Sequence, residues 1–146
     1  MRLLWPLVCL LLALLGDRSA EGKELTVCEA VRELAKARIS RSLFSNWVCL
    51  MQSSSSLRTD LVTGPKGASS YSYGILQIGS GKWCARGRVG GTCNKRCEDF
   101  IDNDIQDDIQ CAKKILDSEG FKYWPEWTKK CKNKPLPAVG HCARRR

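Results

Sequence analysis

Carboxylate side chains, which act as acids, bases and cation ligands, are distributed unevenly along this chain of 146 residues. Asp60 is the only carboxylate between Leu34 and Cys97, whereas the eleven residues from Glu98 to Asp108 contain six. The first stretch can therefore supply little general acid or base catalysis. The second places enough oxygen ligands together to hold a hard cation. The sequence indicates a protein that is better equipped to bind than to catalyse.

The acidic stretch predicts a calcium site formed by Asp99, Asp102, Asp104, Asp107 and Asp108. Neighbouring carboxylates repel each other by about 1 kcal/mol in water and by about 4 kcal/mol near a protein surface. Ca²⁺ relieves this repulsion, since it accepts about six to eight oxygens from carboxylates, carbonyls and water. The pattern lacks the central glycine and terminal glutamate of an EF-hand. The alternative is a helix N-terminus enriched in aspartate because of the helix dipole.

The N-terminal residues have the pattern of a secretory signal peptide. Arg2 precedes an apolar run from Leu3 to Leu15, and the small residues Ala20 and Gly22 follow it. A membrane anchor is the alternative, but the run is shorter than the roughly 20 residues that span a bilayer. We therefore expect cleavage after Gly22, a signal peptide over residues 1–22, and a secreted, extracellular protein with no transmembrane segment.

Cysteine usage agrees with secretion. Loss of the signal peptide removes Cys9 and leaves eight cysteines, an even number that predicts four disulfides in a small secreted chain. A zinc site is the competing use of cysteine, but His141 is the only histidine and no Cys-x2-Cys pair occurs. The spacing alone leaves the disulfide pairing open.

The chain is basic, with a net charge of +9 that is unchanged when residues 1–22 are removed. A basic secreted protein is attracted to anionic polymers and bacterial surfaces. Solubility alone is an equally good explanation of the charge. Nucleic acid is not an expected partner, because no recognised binding motif is present and the secreted compartment offers little of it.

The elements that must position these residues follow from apolar periodicity. Helical spacing predicts a helix over residues 24–37, a second one starting near Ser45, which would cap it, and a third that contains residues 105–116. A short helical piece over residues 124–130 is expected before a basic tail.

Between the second and third helices, composition predicts mostly irregular structure. Residues 53–70 are rich in Gly, Pro and Ser and are expected to form loop and turn. Residues 71–78 are β-branched and aromatic and predict a strand of a small antiparallel hairpin sheet. The expected fold is therefore a single α+β domain over residues 23–146, mostly helical, with one small sheet.

Four motifs set among the eight cysteines resemble those of c-type lysozymes and their relative α-lactalbumin. They are NWVC at 46–49, YGILQI at 73–78, CAKKIL at 111–116 and YWPEW at 123–127. The similarity covers residues 23–142 and implies a lysozyme-like domain with a cleft between a helical lobe and a hairpin lobe. The disulfides that it implies are Cys28–Cys142, Cys49–Cys131, Cys84–Cys97 and Cys93–Cys111.

The resemblance also identifies the two positions on which hydrolysis by such a cleft depends. A protonated carboxylic acid serves the leaving oxygen, and an ionised carboxylate stabilises the oxocarbenium centre. Here these positions are Ser54 and Ser72, and a hydroxyl with no nearby base performs neither role near neutral pH. We therefore expect a catalytically inactive pseudo-enzyme of the glycoside hydrolase family. Weak residual muramidase activity through Asp60 or a bound water is the alternative.

The sugar-binding cleft that the resemblance implies is partly altered. Gly79 stands where the family has an asparagine, and Lys82 replaces the first of two paired tryptophans. The predicted ligand-cleft residues are Gln77, Trp83, Tyr123 and Trp124. Aromatic rings stack on sugar faces, but Trp83 and Trp124 are equally good candidates for core residues.

The acidic stretch resembles the calcium loop of α-lactalbumin and of calcium-binding lysozymes. That resemblance implies side-chain ligation by Asp102, Asp107 and Asp108, and backbone carbonyl ligation by Asp99 and Asp104. Asp99 replaces a lysine that is often found there, which a carbonyl ligand tolerates. The ion would be structural, with no catalytic role.

We therefore expect a secreted, monomeric, lysozyme-like protein of innate immunity that binds peptidoglycan or anionic bacterial surfaces without hydrolysing them. An alternative is a regulatory or adhesive protein partner, as α-lactalbumin modifies a glycosyltransferase. Membrane disruption is a further alternative, for which a solvated basic face is the simpler interpretation. The basic residues concerned are Lys129, Lys130, Lys132, Lys134 and Arg144 to Arg146.

Overall fold

The computed structural model describes residues 22–67 and 69–143. Its helices are α1 (Val27–Lys36), α2 (Phe44–Ser55), α3 (Gln106–Glu119) and α4 (Pro125–Lys130), and its strands are β1 (Val62–Lys66), β2 (Ser70–Tyr73) and β3 (Ile78–Gly79). Short 3₁₀ turns occur at Arg41–Leu43, Cys97–Ile101, Phe121–Tyr123 and Gly140–Ala143. The predicted α+β class is confirmed. The predicted signal peptide, apart from Gly22, and residues 144–146 of the basic tail lie outside the described residues.

Helix α1 begins at Val27, three residues later than the apolar pattern predicts. Thr26 caps it: the Thr26 hydroxyl accepts a hydrogen bond from the Glu29 N–H (3.2 Å), and the Glu29 carboxylate accepts one from the Thr26 N–H (2.8 Å). This reciprocal pair satisfies two N–H groups that the first turn leaves free. Glu24 instead forms an isolated β-bridge with Arg58, which explains the later start.

Helix α2 begins at Phe44, so the predicted cap at Ser45 is wrong. Leu43 occupies the capping position without a side-chain hydrogen bond, because the 3₁₀ turn Arg41–Leu43 leads directly into the helix. The helix also extends to Ser55, into the stretch predicted as loop. The buried Ser55 hydroxyl contacts the backbone carbonyl of Met51 in the same helix at 2.9 Å, which accommodates a serine inside a helix.

The sheet is antiparallel with strand order β1-β2-β3, as the fold class predicts, but its strands differ from those expected. Strand β1 lies within the predicted loop and pairs Val62 with Tyr73. The predicted strand over 71–78 is interrupted, because Gly74 (φ +75°) and Gln77 (φ +45°) adopt turn conformations that end β2 before β3 begins. Strand β3 then returns against β2, where Ser72 pairs with Gly79.

The core is formed by apolar side chains from both the helices and the sheet. Trp47, Leu50 and Met51 of α2 are fully buried, as are Ile75 and Ile78 of the sheet region. Four disulfides join the pairs that the family resemblance implies: Cys28–Cys142, Cys49–Cys131, Cys84–Cys97 and Cys93–Cys111. No helix in the described ranges is long and apolar enough to cross a membrane.

Candidate binding groove and metal site

The two serines that occupy the predicted catalytic positions lie on separate elements. Ser54 is in the last turn of α2, and its hydroxyl is buried without a hydrogen-bond partner among the described residues. Ser72 is half-buried in β2, paired with Thr63 of β1 and Gly79 of β3. In the described ranges neither hydroxyl is bonded to a base. Neither serine can therefore supply a proton or a negative charge to a substrate.

Asp60, the residue considered for residual catalysis, is already engaged by an arginine. Its two carboxylate oxygens lie 3.2 and 3.4 Å from Nη2 of Arg58. The arginine side chain is exposed, and the pair is near the surface. The charge of Asp60 is thus balanced by Arg58, an arrangement that does not resemble a free general base.

The predicted ligand-cleft residues Gln77, Trp83 and Trp124 are buried, with exposed fractions of 9%, 2% and 3%. The Trp124 indole N–H donates to the Leu76 carbonyl at 2.7 Å. The Gln77 amide nitrogen donates to the carbonyls of Leu61 and Gly74, and the amide oxygen accepts a hydrogen bond from the Thr63 hydroxyl. The polar groups of Gln77 and Trp124 are therefore used within the protein, and they hold the turn between β2 and β3.

Tyr123, the fourth predicted cleft residue, contacts both tryptophans. Its ring is edge-to-face with Trp83 (centroids 6.0 Å apart, 84°) and with Trp124 (4.9 Å, 89°). The Tyr123 hydroxyl accepts a hydrogen bond from the Gly79 N–H at 3.2 Å. Burial raises the pKa of Tyr123. The neutral phenol therefore packs against both indole rings.

Lys82 contacts both Glu119 and the Trp83 ring. Its ammonium lies 2.5 Å from a carboxylate oxygen of Glu119, the last residue of α3, and 4.8 Å from the ring centroid of Trp83. The Lys82 backbone is held separately, since its carbonyl accepts from the N–H and the hydroxyl of Thr92. Lys82 therefore brings the carboxylate of Glu119 close to the Trp83 ring.

Asp108 is the most unusual of the predicted metal ligands. It is fully buried in the first turn of α3, and both of its carboxylate oxygens lack a hydrogen-bond partner among the described residues. Burial, reinforced by the negative charge of Asp107, raises the pKa of Asp108 well above its ordinary value. A buried carboxylate without partners is energetically costly. A bound cation would supply the missing charge and contacts.

The other predicted ligands surround Asp108 in sequence but bond to their own loop. Carboxylates of Asp102, Asp104 and Asp107 accept from backbone N–H groups one or two residues further along the chain, and Asp99 accepts from Arg96. Within the described residues, the carboxylates of Asp102, Asp107 and Asp108 do not all converge within 4.8 Å. Burial also raises the pKa of Asp102 and Asp107. The donor types and the unsatisfied Asp108 fit Ca²⁺.

A zinc site is not supported by the described residues. The one group of histidine and cysteine side chains that they bring together is Cys28, His141 and Cys142. Its two cysteines are joined in a disulfide, so they offer no thiolate to a metal.

Sequence reasoning missed Glu119 and the role of Lys82 beside it. The signals in the sequence were the lysine and the glycine at two positions where the resemblance implies a tryptophan and an asparagine. A Cβ atom at Gly79 would lie 2.6 Å from the Tyr123 hydroxyl oxygen. Glycine at position 79 therefore leaves room for the Tyr123 hydroxyl, a contact that only the structure shows.

Comparisons with known proteins give a consistent result. A sequence model of the C-type lysozyme/alpha-lactalbumin family matches residues 23–142. Lysozyme c-1 of Anopheles gambiae is 37% identical over 123 residues, which cover 84% of this chain and 87% of that protein. A lysozyme of Galleria mellonella is 36% identical over 121 residues, which cover 82% of this chain and 100% of that protein. The crystal structure of Equus asinus lysozyme matches with a TM-score of 0.71 and 31% identity, over 77% of this chain and 92% of that chain. The similarity in sequence and fold thus extends over most of the chain.

Proposed function

This chain belongs to the C-type lysozyme/alpha-lactalbumin family, and from that premise we propose that it is a secreted, non-catalytic defence protein that binds bacterial surfaces. Its ligands would be anionic bacterial polymers or cell-wall glycans. A structural calcium ion would stabilise the loop before α3. The protein would act by occupying the surface, without cleaving it.

The observation that supports loss of hydrolysis is the pair Ser54 and Ser72. Both positions need a carboxyl group for the reaction to proceed, one protonated and one ionised. The Ser54 hydroxyl is buried and the Ser72 side chain is half-buried in the sheet, so nothing at either position supplies those groups. General acid–base catalysis alone contributes about 10²–10⁴-fold to rate, so its loss leaves little activity.

Charge favours the anionic surface over the neutral glycan as the ligand. The net charge of +9 raises the local concentration of anionic polymers around the protein. Trp83 and Trp124 are almost completely buried, which leaves little indole surface for stacking on a sugar. Binding through exposed cations is sensitive to salt, because exposed charges more than about 8 Å apart are largely screened from each other at physiological ionic strength.

Calcium would be held by the side chains of Asp102, Asp107 and Asp108 and the carbonyls of Asp99 and Asp104. The support for this assignment is the buried carboxylate of Asp108, which has no partner among the described residues. When bound, the ion would supply positive charge to a cluster in which three carboxyl groups have raised pKa values. Its effect would be on stability, because the aspartates lie in the loop and first turn of α3.

The test is a sedimentation assay with insoluble peptidoglycan, run beside a turbidity assay on a bacterial suspension with the same protein sample. We expect the protein to sediment with the cell wall at low salt, to be released as salt increases, and to leave the turbidity unchanged. Calcium chelation should lower thermal stability without creating turbidity loss. Clearing of the suspension at a rate comparable with that of an active lysozyme would contradict the proposal.

Residual muramidase activity is a second candidate, because the relatives reported above are named lysozymes. It would have to use Asp60 or a bound water. Release of reducing sugar by wild type and by Asp60→Asn separates the cases: equal, negligible rates exclude Asp60, whereas a measurable rate that the substitution abolishes would support it.

A protein partner of the α-lactalbumin type would instead be detected as a stoichiometric complex in a pull-down from the native fluid.

A further inference from the structure

A short loop, residues 86–89, presents two exposed arginines, Arg86 and Arg88. We propose that this arginine loop binds the forked oxyanions, phosphodiester or carboxylate, that repeat along an anionic polymer, and that Arg86, held on the ring of Tyr71, makes the main contact. The site rests on the surface binding proposed above, and it names the residues and the chemical group through which that binding occurs.

The ends of the arginine loop are fixed by backbone hydrogen bonds. Before the loop, the Ala85 N–H donates to the Lys95 carbonyl at 3.2 Å, and the Ala85 carbonyl accepts from the Cys97 N–H at 2.9 Å. After the loop, Gly90 and Lys95 form an isolated antiparallel bridge. Residues 86–89 therefore leave and rejoin the same neighbouring segment, which gives the loop a defined position on the surface.

Glu98 fixes the middle of the arginine loop. Its two carboxylate oxygens lie 3.0 and 3.1 Å from the Gly87 nitrogen and accept from that N–H. Gly87 has φ +72°, a left-handed conformation that glycine adopts without strain. The carboxylate of Glu98 is thus used to hold the backbone between the two arginines, and the loop keeps an excess of positive charge.

Arg86 is the arginine whose side chain is positioned in advance. Its guanidinium carbon, Cζ, lies 4.0 Å from the centroid of the Tyr71 ring. Tyr71 belongs to β2, and its N–H donates to the Ser80 hydroxyl at 2.9 Å while its carbonyl accepts from the Ser80 N–H at 2.8 Å. A guanidinium is attracted to an aromatic face and can still donate its N–H groups to an anion. The side chain therefore loses less conformational entropy when an anion binds.

The donor groups of the arginine loop match an oxyanion with a pair of free oxygens. A guanidinium carries its N–H donors in a planar fork, which fits the two oxygens of a phosphodiester or a carboxylate. In the described part of the chain, neither Arg86 nor Arg88 forms an ion pair with a carboxylate. An incoming anion therefore displaces no internal partner, and a polymer with repeated anions can contact both arginines.

Val89 follows the arginines and is 58% exposed, which makes a phospholipid membrane the alternative ligand. A single exposed apolar side chain is common on soluble proteins. Binding in a membrane interface typically uses an amphipathic helix, and residues 86–89 are not part of a helix. The observations therefore favour a polymer that the arginines contact from outside over a bilayer that would bury Val89.

The experiment measures binding of two linear polymers of equal charge, poly(glycerol phosphate) and poly-L-glutamate, by calorimetry at low salt. Arg86→Lys keeps the net charge but removes the planar fork. We expect it to weaken binding of the preferred polymer about tenfold, since a bidentate charge-assisted contact is lost. The polymer that wild type binds more tightly identifies the oxyanion as a phosphodiester or a carboxylate.

Arg41→Lys is the matched control for the change of arginine to lysine. Arg41 is exposed and, within the described ranges, forms no ion pair with a carboxylate. Its substitution should change polymer binding less than about twofold. Equal effects of Arg86→Lys and Arg41→Lys would overturn the proposal, because binding would then not depend on the guanidinium of Arg86.

Tyr71 provides a second test of the same contact. Tyr71→Leu removes the ring under Arg86 and should weaken polymer binding about threefold, whereas Tyr71→Phe keeps the ring and should bind like wild type. Loss of binding in both variants would contradict a role for the ring.

Two further measurements separate this site from a membrane site and from the surface binding proposed above. Binding to phosphatidylglycerol vesicles that Val89→Ser abolishes would assign the loop to a membrane and overturn the polymer site. Sedimentation with insoluble peptidoglycan tests the surface binding itself. If wild type sediments but Arg86→Lys binds both polymers like wild type, only the loop assignment fails; if wild type does not sediment, the proposed function fails.

Discussion

The Asp108 carboxylate, in the first turn of α3, lies against Gly74, in the turn between β2 and β3. A Cβ atom at Gly74 would come within 2.6 Å of Asp108 Oδ2 and within 2.0 Å of the Phe100 carbonyl oxygen. Gly74 also has φ +75°, a left-handed conformation that glycine adopts without strain. The sheet turn and the acidic loop are therefore packed together at one point. A charge at Asp108 therefore affects both the sheet turn and the acidic loop.

Calcium should stabilise the fold through this contact. At a free calcium concentration a hundredfold above the dissociation constant, the gain is about 2.7 kcal/mol, which raises the melting temperature by roughly 10 °C. Asp108→Asn should abolish the response, and in chelator it should melt no earlier than wild type, because it removes a desolvated charge. Differential scanning fluorimetry with and without chelator measures both effects. Asp117→Asn, on the exposed face of α3, is the control and should respond like wild type.

The link between α2 and the sheet turn should depend on one hydroxyl. Ser55 is buried, and its hydroxyl donates to the Ile75 carbonyl at 2.7 Å. Ser55→Ala leaves that carbonyl without its donor and should lower the free energy of unfolding by about 1–3 kcal/mol. The exposed neighbour Ser56 is a matched control, and Ser56→Ala should change stability by less than about 0.5 kcal/mol. Equal effects of the two substitutions in urea unfolding would contradict this role.

Alkaline stability should report on the Tyr123 phenol. A tyrosine in the unfolded chain ionises near pH 10. In the folded state, burial, with a smaller contribution from the charge of Glu119, raises the pKa of Tyr123. The folded protein therefore retains a proton that the unfolded chain releases, and stability falls as pH rises from about 10 through the higher folded pKa. Between pH 8 and pH values above about 10, the free energy of unfolding should fall less for Tyr123→Phe than for wild type, which urea unfolding measures. Tyr71→Phe serves as the control and should behave like wild type.

The sequence predicted the helices better than the strands, and the reason is periodicity. Val31 and Leu34, two of the residues whose helical spacing predicted α1, are buried in it. Strand β1 reads Val-Thr-Gly-Pro-Lys, a composition typical of loops, and four of its five residues are exposed. Its place in the sheet is set by pairing with β2, a long-range contact that local composition does not encode.

For the candidate site, the sequence predicted residue types and the structure supplied their environment. The family resemblance assigned Ser54 and Ser72 to the catalytic positions and the aspartate loop to calcium, and these assignments stay predictions. Asp108 is completely buried and lies against Gly74, more than 30 residues earlier in the chain, so its sequence neighbours do not indicate its burial. The ion pair of Lys82 with Glu119 joins residues 37 positions apart, which only the tertiary fold brings together.

Placing carboxyl groups at positions 54 and 72 should test whether the protein can support hydrolysis. The Ser54 site is buried, and burial favours the protonated form of a carboxyl group, which is the form that a general acid needs. Ser72 is half-buried in β2, where partial exposure to water would favour an ionised group. We expect Ser54→Glu with Ser72→Asp to remain nearly inactive, because Tyr123 still fills the groove, and to release reducing sugar from chitooligosaccharides once Tyr123→Ala is added. The gain should be at least about 100-fold over Tyr123→Ala alone, since acid–base catalysis contributes that much. Equal activity with and without Tyr123→Ala would show that the phenol does not obstruct substrate.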